Sequence, residues 1–402
     1  MLAERAQQIM CLEEKFIQEL LEFLCKNPRK SGSEWNEIVQ KELISQFEKM
    51  GYNVHTEESD FIGWELLEEP SAEYIKPFKK KFIYKCLPVV WSGSTDGKIT
   101  GTIKPESMTI KTFESYQWNL FHVVDEDGSL LACLISNEKV WPQPIDNNKD
   151  QIPYIMISTE DMRFIQKCIM NKDIVKVRLS IKTNYLYNQK FKNIIAKKSK
   201  KSSLIIGAHY DSFFNTVGAH DNASGTAAVL NIAHRLSLKT KSDVQFVLFD
   251  AEEWNKLGSY YYVENLENLN QIDNIKLMIN IDSIGYGELI FLSVHSDIKN
   301  TIIRTLKTKP IYYQINPDVF ILLHPDKNES ENRLIVIQSN NYLSEFDTWP
   351  FIKKGIPVIN ITTSGKKSYP FFHHPDDNLS QISGKGYGII SDVVTLVESL
   401  LI

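Results

Sequence analysis

The chain has 402 residues, 43% of them hydrophobic and 24% charged, and its formal net charge is -5. Such a composition is typical of folded globular proteins and excludes a disordered or fibrous chain. The small negative charge and the shortness of the two lysine clusters, at 79–81 and 197–201, provide no basic surface for nucleic acid. At roughly 150 residues per domain, the length predicts two domains or one large domain with an insertion.

The first residues and the cysteines bear on the location of the protein. Residues 1–16 interleave charged and apolar side chains, which predicts an amphipathic helix and not the apolar run of a secretory signal. No segment approaches the roughly 18 consecutive apolar residues that cross a bilayer. The five cysteines stand at positions 11, 25, 86, 133 and 168. Because none of them forms a CxxC pair, we predict reduced thiols in a cytoplasmic protein without a membrane partner.

The first 75 residues predict two helices and a strand. Helical periodicity indicates one helix from about Glu4 to Lys26 and a second from about Ser33 to Met50, separated by the turn-like sequence NPRKSGS. Gly51 is placed to end the second helix, and the alternation over Tyr52–Thr56 predicts a strand.

Residues 76–187 differ in texture from the rest of the chain. Short β-type runs alternate there with turn signals such as Gly97, Gly101 and Asp127–Gly128, and no His, Asp and Glu residues cluster. We therefore predict an inserted β-rich domain over 76–187. Residues 1–75 and 188–402 would then form the catalytic domain.

From Asn193 onward, buried-strand patterns alternate with helical ones. The predicted helices are Ser224–Leu236, after the capping-type Asn222, and about Ser259–Glu267. The predicted strands are 203–209, 244–250, 276–282, 333–339 and 356–362. This alternation predicts an α/β fold with a mixed, mostly parallel sheet sandwiched between helices.

Polar residues stand where these strands end, and ligands of open α/β sheets bind at the carboxyl ends of strands. The residues concerned are His209, Asp211, Asp221, Glu252, Glu253, Asp282, His373, His374, Asp376 and Asp377. So many carboxylates in one cleft would repel one another, and a bound cation relieves that repulsion. Histidines beside carboxylates favour Zn²⁺ over Mg²⁺ or Ca²⁺, which prefer oxygen ligands alone.

A divalent metal makes water nucleophilic near neutral pH, but a base must still accept the proton. Glu252 and Glu253 suit this division, because neighbours on a loop diverge and one binds metal while the other faces the substrate. Asp211, two residues beyond His209, is placed to accept the imidazole N–H and fix its tautomer.

Five motifs in order resemble the motif series of the co-catalytic zinc aminopeptidase family. They are GAHYDS, GAHDNASGTAAVL, FVLFDAEEWNKLGS, INIDSIG, and DTWPFIKKGIPVINI followed by HHPDDN. The resemblance spans about His209–Asp377 and implies the zinc-exopeptidase fold, of phosphorylase/hydrolase-like type, with two zinc ions per chain. By position it implies that Asp221 bridges the ions, that His209 and Asp282 complete one site and Glu253 and His373 the other, that Glu252 is the general base and that Asp211 orients His209. NPRKSGS and NIIAKK also resemble the lead-in segments of this family.

The chain departs from the family pattern at two positions. His374 replaces the threonine of the usual His-Thr-Pro-x-Asp, so the register favours His373 as the ligand. Thr348 stands where many members carry histidine, and we assign it no role. The β-rich block resembles the protease-associated domain in its position, length and texture, although an unrelated β insertion also fits.

The other singled-out residues have ordinary interpretations. Asp347 and Asp377 are interpreted as supporting or capping residues, and four further histidines as common surface or core residues. These histidines are His220, His234, His295 and His324. Three aromatic residues, Trp254, Trp349 and Phe351, are candidates to line a substrate pocket.

The resulting prediction is an aminopeptidase that hydrolyses N-terminal residues of peptide substrates. A carboxypeptidase of the same fold, or an acyltransferase of glutaminyl-cyclase type with one zinc ion, is the alternative. A non-catalytic binding module on this fold is the third reading, but such modules typically lose metal ligands, and every ligand position is filled here. The sequence makes no prediction of the oligomeric state.

Overall fold

The computed structural model describes residues 2–82, 86–111, 117–136, 150–199, 202–237, 243–306, 312–316, 319–323, 334–339, 341–365, 367–382 and 385–401. The chain divides into two compact units. The first unit comprises Met1–Ser59 with Lys190–Ile402, and the second comprises Asp60–Gln189. The change in local sequence pattern predicted domain boundaries at residues 75 and 187. In the structure the two units divide after residues 59 and 189, and a long strand runs through each of these points.

The helices of the described residues are mostly in the first unit. They are α1 (Leu2–Leu24), α2 (Glu34–Lys49), α3 (Thr159–Met170), α4 (Ser224–Ser237), α5 (Leu257–Asn268), α6 (Lys299–Leu306), α7 (Trp349–Lys353) and α8 (Lys385–Leu400). Shorter helical turns cover Ala219–Ala223, Ile272–Asn274, Asn341–Glu345 and Leu379–Gln381. None of these helices combines the length and the apolar character that a bilayer-spanning segment needs.

The strands are divided between the two units, and β1 and β8 pass from one unit to the other. The first eight are β1 (Asn53–Lys76), β2 (Lys80–Lys81), β3 (Leu87–Pro88), β4 (Ile99–Lys111), β5 (Gln117–Val124), β6 (Leu130–Ser136), β7 (Tyr154–Met156) and β8 (Lys176–Lys197). The others are β9 (Leu204–His209), β10 (Val244–Phe249), β11 (Leu277–Ile281), β12 (Leu289–Val294), β13 (Tyr312–Asn316), β14 (Val319–Leu323), β15 (Leu334–Ser339) and β16 (Val358–Ser364).

The sheet of the first unit is mixed, with a parallel centre. Strands β16, β11, β9 and β10 run parallel in that order. Antiparallel neighbours flank them, namely β12 beside β16 and the last residues of β8 beside β10. Beyond β12, β15 runs parallel to it, and β14 and β13 follow antiparallel. This arrangement confirms the predicted α/β class with a mixed sheet.

Helices cover both faces of this sheet. Successive residues of a strand point to opposite sides, so each strand contributes side chains to both helix layers. Ile206 and Phe246 pack on one face in a core that includes residues of α1, α2, α4 and α8. Ile205 and Val247 pack on the other face with residues of α5 and α7, among them Phe351. Full burial of each such side chain stabilises the folded protein by about 1.5–3 kcal/mol. The apolar runs recognised in the sequence thus form a core on both sides of the sheet.

The burial of Phe351 corrects one expectation. This residue was a candidate to line a substrate pocket, but its ring lies 6.3 Å from that of Phe249 and 6.1 Å from that of Tyr262, centroid to centroid, and it is fully buried. Helix α7 turns it towards the sheet, and it is therefore a core residue.

The second unit is β-rich but also contains a helix that the sequence reading did not include. Strands β4, β5 and β6 form an antiparallel sheet, and β7 extends it in parallel to β6. Helix α3 packs its Met162 and Ile165 against this sheet. Its start is capped by Ser158, whose hydroxyl accepts the backbone N–H of Asp161 at 3.0 Å. The likeness of this unit to a protease-associated domain stays a prediction.

Candidate metal centre

Three strands deliver polar side chains to the same edge of the sheet in the first unit. His209 is the last residue of β9, and Asp282 directly follows β11. Glu252 and Glu253 lie just beyond the end of β10. The register aligns these ends, since Phe249 of β10 pairs with His209. Because the strands are parallel, their carboxyl ends meet and the side chains converge.

His209 lies against two carboxylates. Its Nε2 is 3.1 Å from Asp221 Oδ1 and 3.6 Å from Asp282 Oδ1. All three residues are buried, with 1%, 7% and 3% of their surfaces exposed respectively. These are the residues that the family resemblance assigned to one metal site.

His373 lies against a second pair of carboxylates. Its Nε2 is 3.0 Å from Glu253 Oε2 and 3.8 Å from Asp221 Oδ2. One oxygen of Asp221 therefore faces His209 and the other faces His373. His209, Asp221 and Glu253 each offer a ligand atom, and these atoms all lie within 4.8 Å of one another. A carboxylate between two imidazoles has the arrangement of a bridging metal ligand.

The loop that carries Asp221 is held by Asp377. The carboxylate of Asp377 accepts the backbone N–H groups of His220 at 2.8 Å and of Asp221 at 3.1 Å. It also accepts the hydroxyl of Tyr369 at 2.7 Å. The peptide bond between Asp221 and Asn222 is cis. Asp377 thus supports the Asp221 loop, in line with its interpretation as a supporting residue.

Asp211 connects His209 to the loop after β10. Its Oδ1 lies 3.3 Å from His209 Nδ1. The same carboxylate accepts the backbone N–H groups of Glu252 at 3.2 Å and of Glu253 at 3.3 Å. With Nδ1 directed at Asp211, Nε2 of His209 is left to point at Asp221 and Asp282, as a metal ligand requires.

The charges of the cluster call for a cation. Burial raises the pKa of Glu253 above its ordinary value, although His373 opposes this rise. Burial disfavours charged His209, but the nearby carboxylates, Asp282 foremost, outweigh burial and raise the pKa of His209 well above its usual range. Glu253 Oε1 is buried and has no hydrogen-bond donor among the described residues. Two imidazoles and three carboxylates with a free buried oxygen fit divalent metal that accepts both nitrogen and oxygen ligands.

Glu252 is the remaining acidic residue at this edge, and it is only partly buried. Burial raises the pKa of Glu252 well above its ordinary value, and the charges of Asp347 and Glu253 add to this rise. Asp347 is itself fully buried, and burial raises the pKa of its carboxyl to about 7. Glu252 thus lies partly exposed beside the cluster, where its carboxylate is available to exchange a proton.

The model of Peptidase family M28 matches residues 193–397, which is more than half of the chain. The chain belongs to Peptidase family M28. The matched region contains every residue of the candidate centre, from His209 to His373.

Relatives of this M28 chain are aminopeptidases by name. Aminopeptidase YwaD of Bacillus subtilis (strain 168) is 25% identical over 283 residues, which is 67% of this chain and 57% of YwaD. The chain thus spans little more than half the length of that relative. The structure of the aminopeptidase from Aneurinibacillus sp. strain AM-1 is 18% identical with a TM-score of 0.69, covering 96% of this chain and 92% of that one. BSAP, a zinc aminopeptidase from Bacillus subtilis, has a TM-score of 0.64 at 18% identity, covering 96% and 93%. These two structures show that the fold is shared.

The other singled-out histidines of the M28 chain that the structure describes contact groups other than the ligand side chains. His374 is exposed, with its Nδ1 3.4 Å from Asp376 Oδ2. His220 is buried, its Nδ1 lies 2.9 Å from the carbonyl oxygen of Ile284, and burial lowers its pKa to about 4. His234 stacks on Phe16. His295 Nδ1 lies 3.6 Å from Asp297 Oδ2, and His324 falls outside the described residues.

Phe213 contributes to the centre but carried no signal in the sequence. Its ring stacks on the imidazole of His373, with centroids 4.1 Å apart and planes inclined by 2°. Phe213 is buried and immobilises the His373 ring from one side. The contact joins residues far apart in the chain, so neither spacing nor residue type predicts it.

The adjacent histidines of the HHPDDN motif provide a matched test of the ligand assignment. We expect His373→Ala to lower both the bound metal per chain and the activity, because it removes an imidazole that faces Glu253 and Asp221. His374→Ala is expected to leave both unchanged, since exposed substitutions typically alter stability by at most about 0.5 kcal/mol. Elemental analysis and hydrolysis rates of the two variants decide. If His374→Ala were the variant that loses metal, the alignment of HHPDDN with the family motif would be wrong, and His374 would be the ligand.

Proposed function

We propose that this chain is a zinc-dependent aminopeptidase that binds two zinc ions and hydrolyses the N-terminal residues of peptides. The observation that carries the proposal is the position of Asp221, whose two oxygens face different imidazoles, each of which has a further carboxylate beside it. Membership of Peptidase family M28 supports the peptidase activity. The names of the relatives, an aminopeptidase and a zinc aminopeptidase, support both the zinc and the aminopeptidase specificity.

The ligand assignment follows the distances. His209, Asp221 and Asp282 would hold one ion, and Asp221, Glu253 and His373 the other. When bound, zinc ions in such a site lower the pKa of a coordinated water and polarise the scissile carbonyl. The five proposed ligands already lie close together, four of them buried and His373 partly exposed, so little rearrangement is needed to hold the ions.

Two acidic residues have roles other than ligation. Glu252 would accept the proton of the attacking water and return it to the leaving amine, for which the raised pKa of its carboxyl is suited. Asp211 would hold the N–H of His209 at Nδ1, so that Nε2 stays a free electron-pair donor. Phe213 would restrict rotation of the His373 ring.

An activity panel on purified protein tests this proposal. We expect two zinc atoms per chain by elemental analysis, cleavage of aminoacyl chromogenic substrates, and loss of this activity when a chelator removes the zinc. Substrates with an acetylated amino group should resist cleavage, because an aminopeptidase requires a free N-terminus. Cleavage of C-terminal residues instead would indicate the carboxypeptidase reading.

The acyltransferase reading makes different predictions. An enzyme of glutaminyl-cyclase type would bind one zinc ion and convert N-terminal glutamine to pyroglutamate without hydrolysing the peptide bond. The position of Asp221 between the imidazoles of His209 and His373 supports two ions, and thereby hydrolysis. Pyroglutamate formation with one zinc per chain would overturn the aminopeptidase proposal.

A further inference from the structure

The segment between α1 and α2, residues 25–33, contacts the residues that follow β9 and β10. Arg29 lies in it with a fully buried side chain. Its Nε donates to the carbonyl oxygen of Tyr210 at 2.8 Å and its Nη2 to that of Gly218 at 3.1 Å. Its Nη1 donates to the carbonyl oxygen of Leu24 at 3.2 Å and also to that of Val217. Arg29 thereby ties this segment to both ends of the loop that begins with Asp211.

Ser31 lies two residues further on and links the ends of two catalytic strands. Its buried Oγ is 3.2 Å from Asp211 Oδ2 and 2.7 Å from Asp250 Oδ1, so its single proton is donated to one of these carboxylates at a time. It also accepts the backbone N–H of Ala251 at 3.1 Å. Asp211 follows β9, whereas Asp250 and Ala251 follow β10 and immediately precede Glu252.

The carboxylate of Asp250, which contacts the Ser31 hydroxyl, is held in place by several other donors. Besides Ser31, its carboxylate accepts the side-chain amide of Asn36 at 3.2 Å, the backbone N–H of Lys192 at 3.0 Å and the hydroxyl of Tyr210 at 3.1 Å. These donors come from α2, β8 and the residue after β9, so the position of Asp250 is determined from several sides. A hydroxyl held against Asp250 is consequently held in place.

We propose that Ser31 is a positioning residue of the metal centre, acting through Asp211. The inference rests on the proposed zinc-dependent function. Asp211 has three other partners, namely His209 Nδ1 and the N–H groups of Glu252 and Glu253. The Ser31 hydroxyl sets the position of its second oxygen relative to the anchored Asp250. Ser31 thus controls the orientation of one ligand imidazole and the path of the loop that carries the base.

Removal of the hydroxyl has a specific consequence. In Ser31→Ala the N–H of Ala251 keeps an acceptor, because it also lies 2.9 Å from Asp250 Oδ1. Asp211 Oδ2 keeps only the Glu253 N–H, at 3.3 Å, and faces Asp250 without a hydroxyl between them. The substitution therefore mainly removes a contact that orients Asp211. The orientation of Asp211 in turn determines how well His209 binds zinc.

The test compares zinc affinity in Ser31→Ala and wild type by competition with a chromogenic chelator, a readout independent of peptidase activity. We expect zinc binding about tenfold weaker, at the lower end of the range for residues that orient ligands through hydrogen bonds, and a lower kcat with little change in KM. Ser92→Ala in the second unit is the matched control. Ser92 is also buried and its hydroxyl also accepts a backbone N–H, that of Tyr154 at 2.7 Å. This control should leave zinc affinity unchanged.

A double-mutant cycle separates positioning through Asp211 from a general loss of stability. In the Asp211→Asn background, Ser31→Ala should weaken zinc binding much less than it does in the wild type, because its partner is already changed. Additive effects would overturn the inference, as would wild-type zinc affinity in Ser31→Ala. If the alanine variant does not fold, Ser31→Cys takes its place, since a thiol of similar size is only a weak donor. A wild-type protein that binds no zinc would contradict the proposed function, which is a distinct outcome.

Discussion

Replacing Glu252 by glutamine is expected to lower kcat by about 10²- to 10⁴-fold, the contribution of a general base, while both zinc ions stay bound. Glutamine keeps the size of the side chain and removes its ability to accept a proton. The substitution leaves the proposed metal ligands unchanged, namely His209, Asp221, Asp282, Glu253 and His373. The measurement pairs steady-state hydrolysis of an aminoacyl substrate with zinc content by elemental analysis of the same preparation.

Glu264→Gln is the control for this substitution. Glu264 is an exposed residue of α5, and the same chemical change there should leave hydrolysis and zinc content unaltered. Wild-type turnover in Glu252→Gln would exclude this residue as the base. Loss of zinc together with activity would instead mean that Glu252 helps to hold the metal.

Replacing Asp221 by alanine is expected to have the second large effect, the loss of both zinc ions and of activity. Among the described residues, Asp221 is the carboxylate whose oxygens face both His209, at 3.1 Å, and His373, at 3.8 Å. Its removal takes a ligand from each site. Substitution of residues that only orient metal ligands already lowers metal affinity by about 10- to 100-fold. We therefore expect the loss of Asp221 to weaken zinc binding by at least about 100-fold. Chelator competition measures this change.

The variant also removes charge from a buried cluster, so folding must be measured alongside metal binding. Burial disfavours the charged form of Asp221, but contact with His209 outweighs burial and lowers its pKa, which makes Asp221 an anion in the folded protein. Asp376→Ala, which removes an exposed carboxylate beside His374, is the matched control and should retain both ions. Normal zinc content in a folded Asp221→Ala variant would refute the bridging role.

Much of the fold follows from local patterns. The strands predicted at 203–209 and 244–250 are present as β9 and β10, and the helix predicted at Ser224–Leu236 is α4. Their β-branched runs and helical periodicity reflect burial between two layers, which leaves a clear pattern. Strand β12 and helix α3 were not predicted. For α3 the signal existed, since Ser158 stands three residues before Asp161 at the helix start.

The supporting contacts of the centre were far less accessible to sequence reasoning. The guanidinium of Arg29 donates to backbone carbonyl oxygens, which every residue has, so the partner side chains carry no trace of these contacts. Asp377 accepts the backbone N–H groups of His220 and Asp221, and this contact is equally independent of side-chain identity. Contacts with the backbone depend on the path of loops, and that path is decided by packing of the whole first unit.

The sequence by itself determined the α/β class and the residue types that gather at strand ends, because strand and helix periodicity and the clustering of His, Asp and Glu are local in the chain. Only the tertiary structure decided that Asp221 lies between two imidazoles, that Phe213 stacks on His373 and that Ser31 joins two strand ends. These contacts span separate elements. Their distances arise from the alignment of parallel strands and the packing of the loops beyond them, which no local pattern encodes.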